Sequence, residues 1–195
     1  MNPAARAACT PEAFEQLYRG RWDPWHFRTS TYERSRYEAT LKTLPHSRYG
    51  FAYEPGCSIG ELTVLLAPRC EQILATDISA TAVQRARKRC VQFPHVQVEC
   101  CDVRDTLLEA PPDLIVLSEI AYYFDARELE ALAARLGGVL RPGGALIAVH
   151  WLGKSPDHIL HGDEVHEVLL HALPLQHELS QRHSGFRVDL WAARQ

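Results

Sequence analysis

Residues 49–67 read YGFAYEPGCSIGELTVLLA, and the fold follows from how this stretch divides. YGFAYE (49–54) reads as a strand, PGCSIG (55–60) as a turn and ELTVLLA (61–67) as a helix. Gly56 and Gly60 let the backbone turn sharply and come close to a ligand. The chain then repeats the alternation. QILATD (72–77) is a strand, and ATAVQRARKRCVQF (80–93) is an amphipathic helix. HVQVECCD (95–102) is a strand ending in Asp102. DLIVLSE (113–119) is a continuous apolar strand of the kind buried on both faces. ARELEALAARLGGVL (126–140) carries apolar residues at helical spacing. RPGG (141–144) is a tight turn, and ALIAVHW (145–151) is another buried strand. Strands alternating with helices predict a parallel sheet with helices on both faces.

The flanks differ from this core. PEAFEQLYR (11–19) reads as a short helix, and GRWDPWHFRTS (20–30) is irregular and carries Trp22 and Trp25. Ser30 or Thr31 can cap a helix that runs to about Leu44 and ends at Pro45. DEVHEVLLHA (163–172) reads as a helix with Asp163 as its N-cap. LQHELSQR (175–182) and FRVDLWAAR (186–194) read as a terminal antiparallel hairpin. The expectation is an α/β fold with seven strands, five in β-α alternation and two in the hairpin.

Composition sets the outer limits. The 195 residues suit one domain of about 150 residues or slightly more. With 46% hydrophobic and 23% charged residues and a net charge of −3, neither disorder nor a basic nucleic-acid surface is expected. There is no run of eighteen apolar residues and no secretory signal at the start, so neither membrane insertion nor export is expected. The six cysteines form no CxxC pair. They read as small apolar residues of a reduced, cytoplasmic chain, with no metal site.

In open α/β sheets ligands bind beyond the carboxyl ends of the strands. Those ends carry Glu54 to Gly60, then Asp77, then Asp102, then Ser118 and Glu119. Asp77 lies 17 residues past Gly60, where a carboxylate can accept both hydroxyls of a ribose. Asp102 can take an adenine amino hydrogen. The loop lacks the middle glycine of a dinucleotide fingerprint and the Lys-Ser/Thr of a phosphate loop. The pattern suits a ligand with ribose and adenine but no phosphate.

Together, Glu54-x-Gly56-x3-Gly60, the two strand-end aspartates, the DLIVLSE strand and the RPGG turn resemble the class I S-adenosylmethionine-dependent methyltransferases. The resemblance implies a Rossmann-like, mostly parallel seven-stranded sheet with a C-terminal antiparallel hairpin. It also implies one domain over 1–195, with a helical cap or lid (1–45), a cofactor-binding core (46–151) and an acceptor-side insertion plus hairpin (152–195). The run Asp23-Pro24-Trp25-His26-Phe27-Arg28-Thr29-Ser30, then Tyr32-Glu33-Arg34, and Ser118-Glu119-Ile120-Ala121-Tyr122-Tyr123 are similar to the nodulation N-methyltransferases (NodS-like). That family methylates the free amine of a deacetylated chitooligosaccharide.

Carried over, the resemblance gives S-adenosyl-L-methionine as cofactor, S-adenosyl-L-homocysteine as product and a small-molecule acceptor such as an amino sugar or chitooligosaccharide. Gly56, Cys57 and Gly60 would line the methionine portion, and Glu54 would approach its amino group. Asp77 would bind the ribose, Ile78 would pack on the adenine, and Asp102 and Val103 would hold its amino edge. Ser118 would lie beneath the sulfonium. Many relatives have a third glycine where this chain has Ser58.

Methyl transfer is an in-line displacement, so alignment and water exclusion are the protein's main tasks. An amine acceptor must also lose a proton. Glu119 is the first candidate base and His150 the second. Tyr122 and Tyr123 could stack on a sugar face or direct a hydroxyl at the acceptor. Trp25 could belong to a lid. Tyr32 and Arg36, four apart on one helix face, could contact the methionine carboxylate. Each has a plainer reading: a backbone-bonding Glu119, a core His150, packing tyrosines, a tryptophan staple, and a surface pair of Tyr32 and Arg36. An O-methyltransferase, a non-catalytic cofactor-binding regulator and a nicotinamide dehydrogenase are the rival functions.

Overall fold

The computed structural model describes residues 3–194, with side chains from Ala5 onward. In chain order the elements are α1 (Pro3–Ala8), α2 (Pro11–Gly20), α3 (Thr31–Thr43), β1 (Tyr49–Pro55), α4 (Glu61–Leu66), β2 (Cys70–Asp77), α5 (Ala80–Arg89) and β3 (Val96–Cys100). They continue with β4 (Leu114–Ser118), α6 (Ala126–Val139), β5 (Ala145–Trp151), α7 (Gly162–Ala172), β6 (Gln176–Arg182) and β7 (Phe186–Ala192). The strands form a seven-stranded sheet in the order β3-β2-β1-β4-β5-β7-β6. The alternation and the terminal hairpin are as the sequence predicts. Among the described residues no helix is long and apolar enough to cross a membrane.

The chain divides into two compact units. The first, Thr10–Leu107, holds the parallel strands β1, β2 and β3, with Glu54 opposite Ala75 and Asp77 opposite Cys100. Its core includes Ala52, Tyr53, Leu62, Leu66, Ile73, Val83 and Ala86. A second cluster joins Tyr18 of α2 to Ile59 and Ala82, with Trp25 packed against it. Thr10 caps α2, its hydroxyl accepting from the Ala13 N–H at 3.2 Å, and Ser30 caps α3 through the Glu33 N–H.

The second unit joins the residues up to Cys9 to everything from Leu108 onward. Here β4 and β5 run parallel, β7 pairs antiparallel with β5, and β6 pairs antiparallel with β7. Strands β4 and β5 are buried nearly throughout, whereas the edge strand β6 exposes almost every residue. Its polar sequence, QHELSQR, is what an edge needs to avoid pairing with another chain.

Several boundaries differ from the sequence reading. Helix α5 stops at Arg89 rather than residue 93, because Pro94 disfavours the helical conformation at Phe93. Strand β3 ends at Cys100, so Asp102 lies in the following turn. Helix α7 is capped by His161, not Asp163: the His161 Nδ1 accepts from the Asp163 N–H, and Glu164 accepts from the His161 N–H. Helix α1 has no counterpart in the sequence reading.

Candidate functional site

The loop after β1 is built by three left-handed residues, Gly56 (φ 75°), Ser58 (φ 52°) and Gly60 (φ 83°). The Gly56 and Cys57 N–H groups both donate to the Thr76 carbonyl, at 2.7 and 2.9 Å, tying the turn to the end of β2. A Cβ on Gly60 would lie 3.2 Å from the Ala86 backbone, so this glycine also sets the approach of α5. At Ser58 a side chain sits where glycine costs nothing, a conformation worth roughly 1 kcal/mol of strain. Two bonds hold it there. The Ser58 N–H donates to Asp77 Oδ2 at 2.9 Å, and the buried Tyr18 hydroxyl donates to Ser58 Oγ at 2.5 Å.

Asp77 therefore bridges two loops, its other oxygen accepting from the Ser79 N–H at 2.9 Å. Burial pushes its carboxyl up to about 6, despite those donors. Glu54 is buried more deeply in effect: its Oε2 has no hydrogen-bond partner among the described residues. Burial, with a contribution from the Asp77 charge, lifts it to about 7. An unpartnered buried carboxylate is costly. A ligand that brings N–H donors and positive charge to Glu54 removes that cost, so this site fits an ammonium group. Helix α2 fastens the same region, with Glu15 accepting from Ser79 and Thr81. Those hydrogen bonds hold the Glu15 carboxyl at about 2.

The other candidates of this unit take separate places. Ile78 is half-buried and Val103 buried. Asp102 is engaged by Arg104, whose Nε lies 3.0 and 3.1 Å from its two oxygens. Trp25 packs among Phe27, Tyr18 and Phe14, with ring centroids 5.5, 5.6 and 6.4 Å away. Arg36 is buried, pairs with Glu33 and lies over the Tyr37 ring at 4.9 Å, so it does not form a surface pair with the half-buried Tyr32.

In the second unit, Ser118 ends β4 and Glu119 follows in a left-handed conformation (φ 61°). The Glu119 N–H donates to the Val149 carbonyl. Its Oε1 accepts from the Trp151 N–H at 2.7 Å and its Oε2 from the Tyr122 hydroxyl at 3.0 Å. The Tyr122 ring meets Tyr123 and His150 edge-on and is stacked on His158, with centroids 3.7 Å apart. The Tyr122 carbonyl also accepts from the Ile159 and Leu160 N–H groups, pinning the segment that carries His158.

His150 is fully buried, and its bonds fix its tautomer. Nε2 accepts from the Ala121 N–H at 3.2 Å, so the proton resides on Nδ1 and points to His166 Nε2, 3.3 Å away. His166 then donates from Nδ1 to Asp189 Oδ2 at 2.6 Å. Burial lowers the His166 pKa. Burial pushes Asp189 up, but the His166 and Ser180 hydrogen bonds and the Arg187 charge outweigh it and hold the carboxyl low. Both nitrogens of His150 thus serve the core, which makes it a brace for the segment after Glu119 and leaves no lone pair for an acceptor.

A family model for Nodulation protein S (NodS) matches residues 13–169. The chain belongs to the NodS family. Nodulation protein S of Bradyrhizobium diazoefficiens is 34% identical over 139 residues, covering 70% of this chain and 65% of that protein. The Rhizobium tropici protein of the same name is 33% identical over 127 residues, covering 64% and 53%. The matches thus span between about half and two thirds of the length of these curated relatives. A solved Pseudomonas syringae chain, described as a candidate methyltransferase, is 36% identical with a TM-score of 0.73, over 84% of this chain and 99% of that one. The N-methyltransferase NodS of Bradyrhizobium japonicum WM9, solved with S-adenosyl-L-homocysteine, shares the fold at 22% identity and a TM-score of 0.82, over 98% of this chain and 100% of that one.

For this NodS-family chain, the structure gathers Glu54, Gly56, Cys57, Gly60 and Asp77 about one loop, and Ser118, Glu119, Tyr122 and Tyr123 about another. Four functional-looking residues escape a sequence reading. Tyr18 and Glu15 sit on a short helix whose spacing says nothing of its target. Asp189 and His158 become interesting only through pairings remote in sequence.

Proposed function

We propose that this chain is an S-adenosylmethionine-dependent methyltransferase that transfers a methyl group to the nitrogen of a small amine-bearing acceptor. The observation that carries the reading is the buried, half-partnered Glu54 beside Asp77, on a glycine-built loop of a NodS-family fold. The naming of the Bradyrhizobium japonicum relative as an N-methyltransferase supports nitrogen as the target. An amino sugar or short chitooligosaccharide is the acceptor class that the family resemblance implies.

Glu54 would accept from the cofactor's ammonium, and Asp77, kept oriented by the Ser58 and Ser79 N–H groups, would accept from the ribose hydroxyls. Asp102 and Val103 would hold the adenine edge and Ile78 would pack on the ring. When bound, the cofactor supplies a methyl group already activated on a sulfonium. The protein then has to align the acceptor nitrogen and exclude water. Glu119, braced by Trp151 and Tyr122, and the tyrosines around it orient the acceptor.

Calorimetric titration with S-adenosyl-L-homocysteine, with NAD as control, tests the cofactor assignment. Micromolar binding of the first alone is expected, and Asp77→Ala weakens it ~100-fold through loss of charge-assisted bonds. Absence of binding, or equal binding of NAD, overturns the assignment.

A further inference from the structure

We propose that His158 is the group that takes the proton from the acceptor amine, an inference that rests on the methyltransferase reading above. Its imidazole lies face to face with Tyr122 at 3.7 Å and edge-on to Tyr123 at 5.5 Å and Trp151 at 5.9 Å. Three aromatic rings thus fix a histidine beside the segments that follow β4 and β5, and ligands of open α/β sheets bind beyond such carboxyl ends. Among the described residues no hydrogen bond or ion pair engages either ring nitrogen of His158. Its three rivals are committed elsewhere. His150 and His166 use both nitrogens inside the core. Glu119 accepts with both oxygens, from Trp151 and from Tyr122.

The environment suits the task. Burial against the rings lowers the His158 pKa, the Asp157 charge works against that, and His161 adds to it. From the packed elements Tyr122 and Tyr123 face it, Tyr123 with its hydroxyl pushed far up by burial, while the Cys9 thiol, which donates to the Asp157 carbonyl, is raised to about 11. Neither the Tyr123 hydroxyl nor the Cys9 thiol competes for a proton at neutral pH. The imidazole is therefore neutral and able to accept, and the aromatic walls favour an ammonium arriving beside them. The acceptor's N–H bond breaks and its proton goes to an imidazole nitrogen, giving an imidazolium. The freed nitrogen pair forms the N–CH3 bond, and the electrons of the S–CH3 bond stay on sulfur. The imidazolium returns its proton to solvent.

The test is methyl transfer to glucosamine and to simple primary amines, measured as a pH–rate profile for the full chain and its variants. The wild-type rate is expected to fall on the acid side along a single titration below the ordinary histidine value. His158→Gln should remove that limb and lower kcat ~100-fold, with affinity for S-adenosyl-L-homocysteine and thermal midpoint unchanged. Added imidazole should restore part of the rate of His158→Ala, which a packing defect would not permit. A His158→Gln protein that keeps both kcat and the acid limb overturns the proposal. So does a wild type that binds S-adenosyl-L-homocysteine yet methylates none of these amines, which leaves the cofactor assignment standing. Failure to bind S-adenosyl-L-homocysteine overturns the underlying reading instead.

Discussion

The two units bury ionisable groups in opposite ways. Around the glycine loop of Thr10–Leu107, Glu54 keeps an oxygen without a partner and Asp77 is held only by backbone N–H groups, and both carboxyls are pushed upward. In the unit of β4 to β7, His150 and His166 have every ring nitrogen engaged, and Asp189 binds His166 and Arg187 through one oxygen while the other faces His177 at 3.5 Å. Burial alone therefore does not mark a ligand site. Asp189 Oδ1 also lacks a hydrogen-bond partner among the described residues, yet the chain closed on its Oδ2 and the Arg187 charge hold that carboxyl low. A buried acid with no cation or histidine to offset burial thus marks a ligand site, and the closed chain marks architecture.

Breaking the closed chain should have the largest effect. Asp189→Ala strands the buried His166 N–H and takes from the Arg187 Nε its carboxylate partner, leaving that guanidinium only Glu167 and Asp163, a loss of ~3 kcal/mol. A fall of ~10 °C in the calorimetric midpoint is expected, with cofactor affinity little changed. An unchanged midpoint would erase the contrast between the units.

Opening the other unit's acid should do the reverse. The Glu54 carboxyl lies at about 7 in the fold against 4.5 ordinarily, so the folded chain binds that proton more tightly than the unfolded one. Stability from this group is full below 4.5 and falls as pH rises toward 7. Glu54→Gln removes the penalty, so above pH 7 the free protein should melt ~5 °C higher, while affinity for S-adenosyl-L-homocysteine drops ~10-fold. In the wild type, the same affinity should weaken as pH falls below about 7, as Glu54 takes up its proton. A mutant that is both less stable and normal in affinity would show that Glu54 is merely structural.

The smallest effect belongs to Ser58, where strain and bonding oppose each other. Ser58→Gly relieves roughly 1 kcal/mol of left-handed strain and forfeits about the same with the Tyr18 bond, so the midpoint should hold within ~3 °C. Ser58→Ala keeps the strain and loses the bond, and should sit below both.

Much of this was readable in advance for a simple reason. The period-two and helical patterns, the glycines of the first loop and the acids at the ends of β1 and β2 are all local in sequence. The capping of α7 was misread by two residues because a histidine ring can accept an amide proton as Asp163 would. Of the two readings of His150 the core one holds, but the chain that fixes it depends on Asp189, which faces Ala148 across the β5–β7 ladder and is remote in sequence. His158 was one of seven histidines after residue 149, and only the stacking on Tyr122 singles it out. Of the two readings of Arg36, a methionine-carboxylate contact or half of a surface pair, its burial with Glu33 removes the second.

Helix α1 belongs with β4 to β7, not with the α2 that follows it: Arg6 pairs with Asp125 and Glu128, and the Cys9 thiol donates to the Asp157 carbonyl. Its order of manufacture is thus out of step with its place in the fold. During translation, Thr10–Leu107 emerges as one continuous piece that can collapse on its own contacts. The segment made before it must wait for partners more than a hundred residues downstream, and closing so long a loop is slow. Pulse labelling of a ribosome-bound chain should find the glycine-loop half protected while Cys9 still reacts with a thiol reagent.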